Sequence, residues 1–123
     1  DRKQSAVVGI EEDGNEYIIL QANAAQDEKL DNAVLNPAKD HLAIITYLGK
    51  GTDAYLHLYN LNSQNFVNIE GESMLPTIGD PKVWVDDYTV LNVSNSKYYK
   101  INVKEKQRIE ISSEKYSELM KEN

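Results

Sequence analysis

Few side chains in this sequence have the type and spacing needed for catalysis or metal binding. His41 and His57 are its two histidines, and neither has an Asp, Glu or His at a spacing typical of a metal site or an acid–base pair. The absence of cysteine excludes disulfides, thiolate metal ligands and cysteine nucleophiles. We therefore predict no bound metal and no cofactor.

One acidic cluster has the composition of a sugar site. The stretch "GDPKVWVDD" brings Asp86 and Asp87 close in sequence to Trp84. Paired carboxylates beside an aromatic ring occur in carbohydrate-active enzymes and in sugar-binding domains. The same pair also stands where two predicted strands join, and acidic residues are common in turns. A sugar site and an ordinary turn both stay open, and we favour the turn.

A row of aromatic residues is the second candidate site. The stretch "DAYLHLYN" places Tyr55, His57 and Tyr59 on alternate positions, which share one face of an extended chain. Tyr98 is a further aromatic residue that we expect to point outward. Exposed tyrosines are favoured in binding surfaces because a rigid ring buries area at small entropic cost. We expect the row to lie on a largely solvated strand face, with these tyrosines available to a ligand or partner.

Length and charge restrict the class of protein. The chain has 123 residues, of which 41% are hydrophobic, and this is enough for one domain with a single core. The formal net charge is -7, which disfavours binding to nucleic acid or to an anionic membrane surface. No apolar run approaches the roughly 18 residues of a membrane span.

Strand patterns dominate the sequence and predict a mostly antiparallel β fold. The dipeptide Asp13-Gly14 between two apolar runs predicts a leading hairpin. Residues 23–34 carry no strand pattern and predict a connection with a helical turn. The C-terminal "SSEKYSELMKEN" predicts a short helix with Ser112 or Ser113 as its N-cap.

An internal repeat divides the chain. "LHLYNLNSQNFVNI" (56–69) aligns with "YKINVKEKQRIEI" (99–111), with one extra residue near Tyr59 and Asn60 that could be a β-bulge. The repeat distance is roughly 42 to 46 residues, within the range of four-stranded propeller blades. The predicted segments of the single β domain are a leading hairpin and connection (1–33), a first repeat (34–70), a second repeat (71–112) and the terminal helix (113–123).

The sequence "NPAKDHLAIITY" followed by "AYLHLYNLNSQNFVNI" resembles a blade of the TolB-type or dipeptidyl-peptidase-type β-propellers. "KVWVDDYTVLNVSNSKYYKINVKEKQRIEI" is similar to a second, more divergent blade, and the resemblance covers about residues 36–111. This resemblance implies a scaffold protein, and it supplies no catalytic residue that could be assigned to a position of this sequence. Two and a half blades cannot close a ring of four to eight. The chain is then a propeller fragment, a piece completed by other copies, or a sandwich of sheets; we favour the sandwich.

These patterns favour a non-catalytic binding or interaction module whose partner is a protein, a small molecule or a saccharide. The resemblance, together with a first residue that is Asp1 rather than Met, favours an extracytoplasmic location in a bacterium, secreted or membrane-anchored. A carbohydrate-active enzyme or sugar-binding domain using Asp86, Asp87 and Trp84 is the first alternative. The second is a structural fragment of a larger propeller, which would self-associate through open strand edges.

Overall fold

The computed structural model describes residues 6–21, 28–48, 53–77 and 84–121. Its strands form three antiparallel sheets, and one short helix follows the last strand. This confirms the predicted mostly β, antiparallel class with a C-terminal helix. The elements are β1 (Ala6–Ile10), β2 (Glu16–Gln21), β3 (Lys29–Leu35), β4 (His41–Leu48), β5 (Asp53–Asn60), β6 (Asn65–Phe66), β7 (Leu75–Thr77), β8 (Thr89–Ser94), β9 (Lys97–Asn102), β10 (Gln107–Ile111) and α1 (Ser113–Lys121).

The first sheet has the strand order β3-β4-β5-β6, and β7 also pairs with β5. Its middle strands are buried on both faces, as the unbroken apolar pattern of β4 predicts. Ala43, Ile44 and Ile45 are all buried although they alternate sides. The first sheet therefore needs a covering layer on each face.

β3 corrects the prediction of a helical connection in this region. Residues 29–35 form the edge strand of the first sheet, whereas residues 23–27 lie outside the described part of the chain. Leu30 and Val34 are half-buried while most of their neighbours are exposed, and the register shifts between Leu30 and Asn32. An edge strand with one solvated face and a bulge carries no clean alternation of apolar residues, so its pattern reads as a loop.

The second sheet has the order β10-β9-β8. Trp84 forms an antiparallel bridge with Val90 and so adds a short fourth segment beside β8. The Val85 N–H donates to the Thr89 carbonyl at 3.0 Å and closes the turn between them. The second sheet, and the first apart from the β7–β5 pair, are therefore antiparallel meanders in which neighbouring strands follow one another along the chain.

The first and second sheets share one hydrophobic core, to which residues of both contribute. Removing the apolar side chains of this core from water is the main favourable contribution to folding, at roughly 25 cal/mol for each Å² of apolar surface buried. The core residues are Ala43, Ile45, Ala54, Leu56, Leu58, Val67, Ile69, Leu75, Trp84, Val90, Ile101 and Val103.

The turns that follow β5 and β9 have the same hydrogen bonds. The Asn60 side-chain oxygen accepts from the N–H groups two and three residues further on, at 2.8 and 3.1 Å. The Asn102 oxygen does the same, with both distances 2.9 Å. Gln64 and Lys106, four residues after each Asn, both have φ of 58° and donate their N–H to its carbonyl. Asn60 and Asn102 therefore occupy equivalent positions.

The expected β-bulge near Tyr59 is absent. The pairing of β4 with β5 starts at His41↔Asn60 and runs without a register shift, as does that of β8 with β9 from Thr89↔Asn102. Counting back from the two equivalent asparagines, Leu58 corresponds to Lys100 and not to Ile101. The sequence alignment is wrong by one residue in this strand, and a one-residue slip exchanges the two faces.

The leading hairpin, β1 paired with β2, turns at Asp13-Gly14 as predicted. Gly14 has a φ of 91°, a left-handed conformation that favours glycine, and Asp13 accepts a hydrogen bond from the Asn15 N–H at 2.9 Å. A Cβ on Gly9 would overlap the Tyr17 ring. Glycine at this position lets the Tyr17 ring lie across β1.

The helix α1 begins after Ser112, whose hydroxyl accepts the Lys115 N–H at 3.0 Å. Ser112 is thus the N-cap, and this decides between the two predicted serines. α1 contacts β9, where the ring centroids of Tyr98 and Tyr116 are 4.7 Å apart. Within the described residues, no helix is long and apolar enough to cross a membrane.

Candidate functional site

The seven residues predicted for a site lie in three separate places. Tyr55, His57 and Tyr59 share one face of β5, as expected. Tyr98 is half-buried beneath α1. Trp84, Asp86 and Asp87 lie at the start of the second sheet.

The aromatic row on β5 does not form a solvated face, and this expectation was wrong. His57 is 6% exposed and Tyr59 is 4% exposed, while Tyr55 is half-buried. Phe66 packs on this face, with ring centroids 5.0 Å from Tyr59 and 6.3 Å from His57. Tyr17 of the leading hairpin also reaches Tyr59 and bonds its hydroxyl.

The buried His57 has a hydroxyl partner on the neighbouring strand. Its Nε2 lies 2.9 Å from the Thr46 Oγ1, and both side chains are buried. Burial lowers the pKa of His57 because a charged imidazole would lose its hydration, and the charge of Glu28 only partly opposes this. A buried histidine with a lowered pKa and a threonine partner stabilises the packing of the first sheet in its neutral form.

The same enclosure explains the electrostatics of Tyr59. Burial raises the pKa of Tyr59, and its contact with the Tyr17 hydroxyl adds to the effect. The phenol thus stays protonated and serves as a hydrogen-bonding group between the leading hairpin and the first sheet.

Trp84 is part of the core and does not present a ring face for a sugar. It is 9% exposed, and its indole N–H donates to the Val34 carbonyl of β3 at 2.9 Å. Asp86 and Asp87 are exposed in the turn before β8, where Asp86 accepts the Tyr88 N–H at 3.0 Å. This geometry matches the turn interpretation that the sequence favours.

A polar cluster that the sequence interpretation missed lies beside this turn; we call Asn36, Asp40, His41 and Tyr88 the Asp40 cluster. The Asp40 carboxylate accepts three hydrogen bonds, which are 2.8 Å from the Asn36 amide, 2.9 Å from the His41 Nδ1 and 3.1 Å from the Tyr88 hydroxyl. The Asn36 amide also donates to the Asp87 carbonyl at 2.7 Å. The cluster therefore joins the turn before β4 to the turn before β8.

The cluster holds Asp40 in its charged form. Hydrogen bonds from Asn36, then His41 and Tyr88, lower the pKa of Asp40 to about 2, although partial burial opposes them. The bond to Asp40 in turn raises the pKa of Tyr88, which donates the proton. Lys104 adds positive charge at 4.4 Å from the centroid of the Tyr88 ring.

The Asp40 cluster resembles an acid–base site in composition but not in geometry. Its carboxylate is occupied by intramolecular donors, and the His41 ring packs edge-on against Tyr88 at 5.9 Å. No group of three or more histidine and carboxylate side chains within the described ranges could hold a metal ion. The asparagine–proline turn "NPAKDH" is the sequence signal that could have found this cluster, since Asn and Asp commonly bond the backbone of their own turn.

Comparison with known proteins adds no identification. No protein-family model, no curated protein and no solved structure matched the chain. The resemblance to propeller blades therefore stays a prediction made from the sequence.

Proposed function

We propose that this chain is a non-catalytic interaction module built from two blade-like β-sheets. The proposal rests on the contacts of the side chains that could act as acids or bases, which are Asp40, His41 and His57. Asp40 and His41 bond each other within the Asp40 cluster, and His57 bonds Thr46. Each of these groups is therefore engaged in an intramolecular hydrogen bond, and this argues against a role in activating a nucleophile or a water.

The equivalent turns at Asn60 and Asn102 support the blade-like description. Each sheet contains an antiparallel meander with the same asparagine-bonded turn, between β5 and β6 in the first sheet and between β9 and β10 in the second. Propellers and related β-sheet arrays act as scaffolds on which partners dock. The apolar side chains on the outer side of the leading hairpin give this module a surface for a protein partner.

The sugar-binding alternative makes a different experimental prediction. A saccharide stacked on Trp84 and bonded to Asp86 and Asp87 would shift the indole N–H resonance and the backbone amide resonances of residues 84–88. We expect no such shifts when the ¹⁵N-labelled protein is titrated with a panel of mono- and oligosaccharides, monitored by two-dimensional NMR. Saturable shifts confined to these residues would overturn the proposal.

An Asp86→Asn/Asp87→Asn variant is the matched control for that titration. Both side chains are exposed, so the double substitution should leave the fold intact. If saturable shifts occurred in the wild type and vanished in this variant, the carboxylate pair would be a sugar site.

A further inference from the structure

The outer side of the leading hairpin is an exposed apolar surface, which we call the hairpin patch. It consists of Val8, Ile10 and Ile18, which are 45%, 70% and 61% exposed. Val8 pairs with Ile18 across the two strands, and Ile10 pairs with Glu16, so these side chains stand together on one face. The opposite face of the hairpin carries Tyr17 toward the first sheet.

A second open surface lies at the far end of the stack of sheets, on the outer side of the second sheet. α1 packs on this side near Tyr98, and among the described residues no other element lies over the part of the face that carries Lys100 and Ile109. We call this end the sheet pocket: it has a volume of about 120 Å³ and is lined by Thr89, Lys100, Asn102, Glu105 and Ile109. Ile109 is 48% exposed.

The contact between the two sheets shows how such a surface is covered elsewhere in this chain. The first sheet buries the face that carries Leu58 and Val67 against the second sheet, which contributes Val90 and Ile101. Counted from the equivalent turns, Leu58 corresponds to Lys100 and Val67 to Ile109. The sheet pocket therefore lies on the face of the second sheet that corresponds to the packed face of the first sheet. The second sheet packs on the first with its opposite face, which carries Val90 and Ile101.

The charges at the two ends of the stack are opposite. The exposed acidic residues of the leading hairpin are Glu11, Glu12, Asp13 and Glu16. The basic residues of β9 and the turn after it are Lys97, Lys100, Lys104 and Lys106, with Glu105 among them. Complementary charge favours encounter between one end and the other and disfavours contact between two identical ends.

We propose that copies of this chain associate head to tail, with the hairpin patch of one copy packed on the sheet pocket of the next. Ile10, which is 70% exposed, enters the pocket and packs beside Ile109, which is 48% exposed, so the contact removes both apolar side chains from water. Because the contact joins two different surfaces, every assembly has a free hairpin patch at one end and a free sheet pocket at the other. Further copies can therefore add to form a filament, or the two ends can meet and close a ring. The inference rests on the proposed interaction role and names a second copy as the partner.

Sedimentation velocity on the full chain over a range of protein concentrations tests this inference. We expect the average mass to rise with concentration. Ile10→Lys should abolish the rise because it places a charge in the patch, and Ile109→Lys should abolish it from the pocket side, each weakening association by at least about tenfold. Leu35→Lys is the matched control, since Leu35 is 43% exposed outside both surfaces, and it should associate as the wild type does.

A mixture of the two variants identifies the kind of contact. In a head-to-tail contact the intact pocket of Ile10→Lys binds the intact patch of Ile109→Lys, so the mixture should form dimers and nothing larger. Circular dichroism should show the wild-type fold for every variant. The inference is overturned if the wild type stays monomeric, or if either variant alone still associates as strongly as the wild type.

Charge reversal supplies a second readout that leaves the apolar surfaces intact. Glu16→Lys and Lys100→Glu should each weaken association, and the double variant should restore it because both ends change sign. A double variant no stronger than either single variant would contradict the charge pairing and with it the proposed docking. A monomeric wild type would refute self-association alone, whereas sugar-induced NMR shifts would refute the proposed interaction role.

Discussion

The Tyr88 hydroxyl donates a hydrogen bond to the Asp40 carboxylate at 3.1 Å, although 48 positions separate the two residues. Tyr88 precedes β8 of the second sheet, and Asp40 precedes β4 of the first. The bond therefore links the two sheets at one end of their shared core. The Asn36 amide, which bonds both Asp40 and the Asp87 carbonyl, makes a second link beside it.

The Asp40 cluster predicts a specific loss of stability in acid. The pKa of Asp40 is about 2 in the folded protein and about 3.9 in an unfolded chain. The charged form thus contributes stability that is fully present above about pH 4 and is lost as the pH falls through about 2. Urea unfolding at a series of pH values should show this fall in the wild type and a smaller fall in Asp40→Asn.

Asp87→Asn is the matched control for this acid dependence, because it removes a neighbouring carboxylate and leaves the Asp40 cluster intact. It should retain the wild-type fall in the free energy of unfolding. An Asp40→Asn curve parallel to that of the wild type would contradict the hydrogen-bonded carboxylate.

His57 predicts a second pH dependence, nearer to neutrality. Burial lowers its pKa in the folded protein, so the unfolded chain binds a proton more readily below about pH 6.5. The stability that depends on a neutral His57 is present above that pH and is lost as the pH falls toward the lowered value. His57→Gln should flatten the free energy of unfolding between pH 7 and pH 5 relative to the wild type, and unchanged slopes would show that the imidazole is solvated.

The position of Trp84 can be checked by fluorescence. It is the one tryptophan of the sequence, so the emission reports this site alone. Its burial in the core predicts weak quenching by iodide or acrylamide in the folded protein and strong quenching after unfolding in urea. Quenching as strong in the folded state as in the unfolded state would contradict the contact between Trp84 and Val34.

The equivalent turns predict equal effects at Asn60 and Asn102. Each asparagine satisfies two backbone N–H groups, so replacement by Ala should lower the free energy of unfolding by about 1 kcal/mol at either site. Asn62→Ala, at an exposed turn position, is the control and should stay within about 0.5 kcal/mol of the wild type. Clearly unequal losses at the two asparagines would refute the equivalence.

Local patterns were sufficient to predict much of this fold. The hairpin at Asp13-Gly14, the apolar strand β4 and the helix capped near Ser112 each follow from residues that are neighbours in sequence. β3 was missed because an edge strand needs few apolar residues. The register of the repeat was misplaced by one residue because alternation alone does not show which face a strand presents.

The candidate site depended on contacts that no local pattern contains. The Tyr55–His57–Tyr59 face is covered by Phe66 and by Tyr17, and the latter belongs to a hairpin about forty residues earlier. The Asp40 cluster likewise brings together two turns from different sheets. Polar residues in turns are common. Only the packing of the two sheets shows which of these turn residues form hydrogen bonds from one sheet to the other.

The most direct test of the Asp40 cluster as a link between sheets is a double-mutant cycle on Asp40 and Tyr88, measured by urea unfolding at neutral pH. Tyr88→Phe removes the hydroxyl and should lower the free energy of unfolding in the wild type, whereas Tyr98→Phe, the matched tyrosine on β9, should change it little. In an Asp40→Ala background the effect of Tyr88→Phe should disappear, because the acceptor is gone. An equal effect of Tyr88→Phe in both backgrounds would contradict the link.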